Sequence, residues 1–151
     1  MNGLSKISDD VIKNEYKQRF RIHDGGTIKS SKGAAEHLET FFGKRYDRER
    51  FVVIFLNGRN QILLTEVLFE GTLTSSAVYP REIIKEILHL GAASIIVAHN
   101  HPSGNKNPSK DDVTITKNIK EACKTIDVEL HDHLILVPGG EFTSLSDKGL
   151  L

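Results

Sequence analysis

A chain of 151 residues with 38% apolar and 26% charged side chains suits a single soluble globular domain with a substantial core. Twenty Lys and Arg balance twenty Asp and Glu, so net charge asks for neither nucleic acid nor a membrane surface, and the lone Cys123 excludes an internal disulfide and fits a reducing compartment. No apolar stretch approaches the ~20 residues of a bilayer span, and the opening MNGLSKISDD lacks a signal peptide's apolar core, so no membrane partner and a cytoplasmic location are expected.

Residues 1–13 are polar, with no strong period, and read as a loose arm or a short first turn. Tyr16, Phe20 and Ile22 share one parity between Asn14 and His23, which suggests an edge strand, and Asp24-Gly25-Gly26 is a turn. Residues 1–29 are thus expected to form an N-terminal arm ahead of a domain over 30–151. Ser30 or Ser31 can cap a helix with the stripe Ala34, Ala35, Leu38, Phe41 and Phe42, stopped by Gly43. Phe51–Leu56 is a strand, Asn57-Gly58 a hairpin turn, and Gln61–Glu70 the return strand. On that strand Glu66, Leu68 and Glu70 are expected on one face, Glu66 among apolar neighbours. Pro80 opens a helix with Ile83, Ile84, Ile87 and Leu88 at helical spacing, closed by Gly91.

The next stretch, AASIIVAHNHPSGNKNPSKDD, holds the chemistry. Ala93–Ala98 reads as a buried strand, and alternation lets His99 and His101 present both imidazoles on one face. A loop of turn residues then leads to Asp112, eleven residues after His101. Two histidines and a carboxylate with an open fourth position form the ligand set of a catalytic zinc site. Each part has a plainer reading. His-X-His alone is as compatible with satisfied polar side chains. Ser109-Lys110-Asp111-Asp112 fits a capping box, with Ser109 as N-cap and Asp112 at the third helical position. Both roles can coexist.

A helix follows over about Lys110–Thr125 with the face Val113, Ile115, Ile119, Ala122, Cys123 and Ile126, then a strand Val128–Val137 and a short strand near Phe142. Cys123 is read as core, and His23 and His37 as surface. His131 and His133 share parity, so a second metal site is conceivable there. The order β-α-β-β-α-β-α-β-β predicts an α/β fold: a three-layer-like sandwich with a mixed sheet flanked by helices.

His99-Asn100-His101-Pro102-Ser103-Gly104, followed by Pro108-Ser109 and Asp112, resembles the JAMM signature (H-x-H-P, then S-x-x-D) of the JAB1/MPN metallopeptidases. More closely, PREIIKEILHLGAASIIVAHNHPSG and the later DHLIL resemble the bacterial RadC family, over roughly Ser30 to Leu151. The resemblance implies a JAB1/MPN, cytidine-deaminase-like fold and one Zn²⁺ per chain held by His99, His101 and Asp112. It implies an upstream glutamate as general base and proton donor, a role that falls on Glu66, with Glu70 as the alternative. It further implies that Ser109 stabilises the tetrahedral intermediate, and that the Asp132-His133 pair orients a ligand or lines the cleft. The implied activity is hydrolysis of peptide or isopeptide amide bonds in a peptide or protein substrate. The rival is a DNA-repair-associated or mobile-element-associated binding module without turnover. Nucleic acid enters by family association only, since the short arm has no counterpart of the helix-hairpin-helix that usually precedes this domain in RadC proteins.

Overall fold

A computed structural model describes residues 7–12, 26–42 and 47–151. The expected strand over Asn14–His23 and the Gly43 stop lie outside the described residues. Helix α1 spans Ser31–Phe42, and the Ser30 hydroxyl accepts the Gly33 amide at 3.0 Å at its start. Strands β1 (Arg50–Leu56) and β2 (Ile62–Glu70) form the hairpin that Asn57-Gly58 announces, with the Asn57 side chain accepting the amides of Arg59 and Gln61. Helix α2 covers Pro80–Leu90 and ends on Gly91 in the left-handed conformation at φ 65°, the helix end that lacks a Cβ penalty. Strand β3 (Ser94–Asn100), helix α3 (Lys110–Lys124), strand β4 (Glu129–Leu136) and strand β5 (Phe142–Ser144) complete the order.

The five strands form one mixed sheet in the order β2-β1-β3-β4-β5, with β3 and β4 parallel and the other neighbours antiparallel. β3 sits at its centre, and all seven of its residues are buried, which is why its sequence is a continuous apolar run rather than an alternating one. One sheet face buries Val52, Ile54, Ile96, Ala98 and Leu134 against Ala34, Ala35 and Leu38 of α1. The other buries Phe51, Val53, Ile95 and Val97 against Ile83 and Ile87 of α2 and Ile115, Ile119 and Cys123 of α3. The helices thus lie on both faces, as the predicted three-layer arrangement requires.

Among the described residues, three register shifts depart from simple alternation. One lies beside the hairpin turn, where the partner jumps from Leu64 to Ile62 between Phe55 and Leu56. The other two bear on the site. Between Phe51 and Val52 of β1 the partner jumps from Phe69 to Val67, so Leu68 is the extra residue. Between Ile95 and Ile96 of β3 the partner jumps from Leu130 to Asp132, making His131 the extra residue of β4. That insertion reverses the parity of β4. His133 falls opposite Val97 on the α2/α3 face, while His131 turns to Asn60, its Nε2 3.1 Å from Oδ1. The two histidines do not converge. His37, expected on the surface, is half-buried with Nε2 2.7 Å from Thr65 Oγ1, and burial lowers its pKa.

Candidate metal centre

β3 runs two residues beyond the apolar stretch, so its own hydrogen-bonded frame holds His99, directly opposite Phe51 on one side and Ile135 on the other. His101 follows immediately, its amide bonded to the Leu136 carbonyl at 2.8 Å, which keeps it on the line of the strand. The two rings meet edge to face with centroids 4.9 Å apart. The loop that follows returns the chain so that the first turn of α3 lies over the pair. Asp112, fully buried, places Oδ1 3.0 Å from His99 Nδ1 and Oδ2 3.1 Å from His101 Nε2.

Asp112 is also the third residue of the capping box. Ser109 Oγ accepts the Asp112 amide at 3.0 Å and Asp112 Oδ2 accepts the Ser109 amide at 2.7 Å. The cap and the histidine contacts therefore occur together. The cap orients the carboxylate, and the positive end of α3 favours its charge. Burial alone would raise the Asp112 carboxyl. The hydrogen bonds from His101, His99 and the Ser109 amide outweigh it and hold the group far below the ordinary carboxylate range. The same carboxylate raises His101, against the opposing effect of burial.

His101 Nδ1 lies 2.7 Å from the Asn105 carbonyl. A carbonyl only accepts, so Nδ1 carries a proton and Nε2 is the nitrogen aimed at Asp112. A bare ring nitrogen facing a carboxylate oxygen would bring lone pair against lone pair. A positive charge between them, a proton or a metal ion, reconciles the two. His99 Nε2 is buried and has no hydrogen-bond partner among the described residues. Atoms of His99, His101 and Asp112, one from each, lie within 4.8 Å of one another. A tetrahedral ion with bonds of ~2.0–2.2 Å spaces its ligands ~3.3–3.6 Å apart, so small side-chain adjustments suffice. Two imidazoles, one of them with an unpartnered buried nitrogen, and one carboxylate fit a divalent ion of the zinc type.

The glutamate beside this group is Glu49, just before β1, with Oε1 3.9 Å from His99 Nε2. Its other oxygen accepts the Leu73 amide at 2.7 Å, and its carbonyl accepts the Gly71 amide at 2.9 Å. Gly71 sits at φ 123°, a conformation that disfavours any side chain. The loop after β2 is pinned further where Asp111 Oδ1 accepts the Ser75 amide at 3.2 Å.

This geometry corrects the expectation for Glu66. That residue lies opposite Val53, and Val53 lies opposite Val97, so Glu66 is two strands across and two residues along from His99. Adjacent strands are ~4.8 Å apart and residues ~3.3 Å, which puts the Glu66 backbone on the order of 10 Å from that of His99. Glu70 is also two strands across, one residue along from the His99 row, and its carboxylate is taken by Arg50, accepting from Nε at 2.9 Å. The shared face expected for Glu66, Leu68 and Glu70 is broken by the Leu68 bulge. In DRERF, Glu49 reads as one charge in a solvated run. Its signal is parity: Glu49 precedes the strand two positions before Phe51 and four before Val53, and the Phe51–His99 register turns that side toward the histidines.

The Asp132-His133 pair divides between the two faces. Asp132 lies opposite Ile96, on the α1 side, where Oδ1 accepts the amides of His133 (2.8 Å) and Ser146 (3.0 Å) and Oδ2 accepts from Ser144 Oγ. It ties β4 to the C-terminal turn and does not line the metal side. Burial raises its pKa, against those three bonds. His133 is fully buried on the metal side, edge-on to Phe51, with Nδ1 bonded to Thr116 Oγ1. The Thr116 hydroxyl donates to the Asp112 carbonyl at 2.6 Å, so His133 Nδ1 is the donor in their bond. Burial pushes the His133 ring down to about 3, and it stays neutral. It supports the ligand-bearing turn of α3 through Thr116.

Residues 28–150 match the family model described as a RadC-like JAB domain. Among similar proteins, UPF0758 protein PBPRA0202 of Photobacterium profundum is 42% identical over 130 residues, covering 86% of this chain and 57% of its own. A UPF0758 protein of Variovorax paradoxus is 39% identical over 99% of this chain and 63% of its own. UPF0758 protein YfjY of Escherichia coli is 44% identical over 70% of this chain and 65% of its own. The chain thus spans about three fifths of the length of these relatives. No helix among the described residues is long and apolar enough to cross a membrane.

Proposed function

The chain belongs to the RadC-like JAB domain family, and from that premise we propose that it is a zinc-dependent hydrolase of peptide or isopeptide amide bonds. The observation that carries this reading is the buried His99–His101–Asp112 group, with a glutamate carboxylate on the side of the unpartnered His99 nitrogen. A zinc ion held there, one per chain, supplies Lewis acidity, lowering the pKa of water toward ~7 and polarising a scissile carbonyl.

The chain's own residues divide the remaining work. His99, His101 and Asp112 provide the grip, and Asn105 fixes the tautomer of His101. Glu49 takes the role that the resemblance implied for Glu66. Its Oε2 is engaged by the Leu73 amide, which leaves Oε1 to accept a proton from the attacking water and return it to the leaving amine. Ser109 Oγ accepts the Asp112 amide and retains its own proton, a suitable donor to a developing oxyanion. A peptide or protein substrate and a cytoplasmic setting belong to the same proposal.

Elemental analysis and an amide-cleavage assay test it together. Wild-type protein should carry about one zinc per chain, and His99→Ala and Asp112→Ala should carry none. Glu49→Gln should keep the metal and lose hydrolysis by on the order of 100- to 10,000-fold, with Glu66→Gln close to wild type. Metal-free wild-type protein, or Glu66→Gln losing as much as Glu49→Gln, would overturn the assignment.

A further inference from the structure

The pairing of β1 with β3 runs from Leu56–Ser94 to Phe51–His99 and goes no further, although both chains continue. At the next position the Asn100 side chain takes over from the backbone ladder. Asn100 is fully buried, its Oδ1 accepts the Arg50 amide at 2.6 Å, and its Nδ2 donates to the Arg48 carbonyl at 2.8 Å. One partner can only donate and the other can only accept, so the orientation of the amide group is fixed by its surroundings. These two bonds bracket a single residue, Glu49.

We infer that Asn100 is a positioning residue for Glu49, fixing the peptide units on both sides of it so that its carboxylate faces His99. The inference rests on the proposed role of Glu49 and extends it to the residue between the two histidines. Strand alternation gives the logic. His99 and His101 face the metal side, so the residue between them points elsewhere, and here it points along the sheet to the end of β1. A backbone ladder continued past Phe51 would draw β1 flush against β3. A side-chain amide instead spans the gap and holds the two strands apart at the point where Glu49 must stand beside His99. The Glu49 backbone is then fixed through its neighbours by Asn100, through its own carbonyl by Gly71, and its carboxylate by Leu73. Of these supports only Asn100 acts through a side chain, so it alone is open to substitution without rebuilding a loop.

Asn100→Ser and Asn100→Ala would be compared with wild type in zinc content, residue-resolved amide exchange, and cleavage of a quenched-fluorescent peptide library. The Ser variant keeps a small polar group should the Ala variant fail to fold. Both should retain about one zinc per chain, because neither removes a ligand. Protection should fall at the Arg50 and Leu73 amides and stay unchanged at the Asp112 amide. Turnover should fall on the order of 10- to 100-fold with KM nearly constant, the range for residues that orient a working group. In a Glu49→Gln background the same substitutions should cost roughly twofold at most, since the group they position is already disabled. Unchanged protection at Arg50 and Leu73, or a loss that also reaches Asp112, would overturn the assignment. So would a loss of turnover that multiplies that of Glu49→Gln. If wild-type protein cleaves nothing in the library while the exchange pattern appears as stated, Asn100 still positions Glu49 and the hydrolase reading is what has failed.

Discussion

Asp112 and His101 pull the pH dependence of stability in opposite directions. Asp112 holds its carboxyl below the ordinary 3.8, so in acid the unfolded chain takes up a proton that the native state refuses. The stability this contributes is present above that pH and is lost as the pH falls below it. His101 is held above the ordinary 6.5, so the native state keeps a proton that the unfolded chain releases. Its contribution is present below 6.5 and is lost as the pH rises through the folded value. Zinc-free protein is therefore expected to be most stable between these limits. Urea unfolding from about pH 3 to about pH 8 should trace that maximum, and Asp112→Asn should flatten both limbs. Cys123 gives a simpler expectation. Fully buried, with its thiol pushed up to about 11, it should resist alkylation near pH 8 and react only on unfolding, as mass spectrometry would read.

At the scale of elements, the first turn of α3 does two jobs that substitution can separate. Ser109→Ala removes the cap and should cost ~1 kcal/mol in urea unfolding of zinc-free protein. Ser109→Asp retains a capping oxygen and should restore most of that stability, yet it supplies no hydroxyl donor, so cleavage should remain low. Recovery of cleavage by the Asp variant would assign Ser109 to the cap alone. The same turn illustrates what could be read from sequence. Helical periodicity, the Ser109–Asp112 spacing and the His-X-His alternation are local patterns, and each appears in the structure where the residues indicate. The bulges at Leu68 and His131 leave no such trace, because one inserted residue reverses parity without changing composition. For that reason the shared face of Glu66 with Glu70 and the convergence of His131 with His133 both went astray. Glu49 was hidden for a different reason. Its setting depends on the register between β1 and β3, which only the folded sheet defines.

For the molecule as a whole, an ion bound by the native state alone stabilises it by about 2.7 kcal/mol when its free concentration is a hundred times Kd. Chelation should therefore lower the midpoint of thermal unfolding in wild-type protein and leave that of His101→Ala unmoved. Scanning calorimetry with and without chelator would show it, and equal shifts in both proteins would place the metal elsewhere.

The distances along the chain between the partners at this centre are unequal. His99 meets Asp112 across 13 positions, whereas the amide of Arg50 meets Asn100 across 50. Short loops close at lower entropic cost and sooner than long ones. During refolding, the claw around the ion would therefore assemble from one contiguous segment well before its acid partner arrived from the far half of the polypeptide. Zinc uptake should then run ahead of recovered turnover in a stopped-flow experiment. The interval between them would be a chain that holds its metal and has not yet become an enzyme.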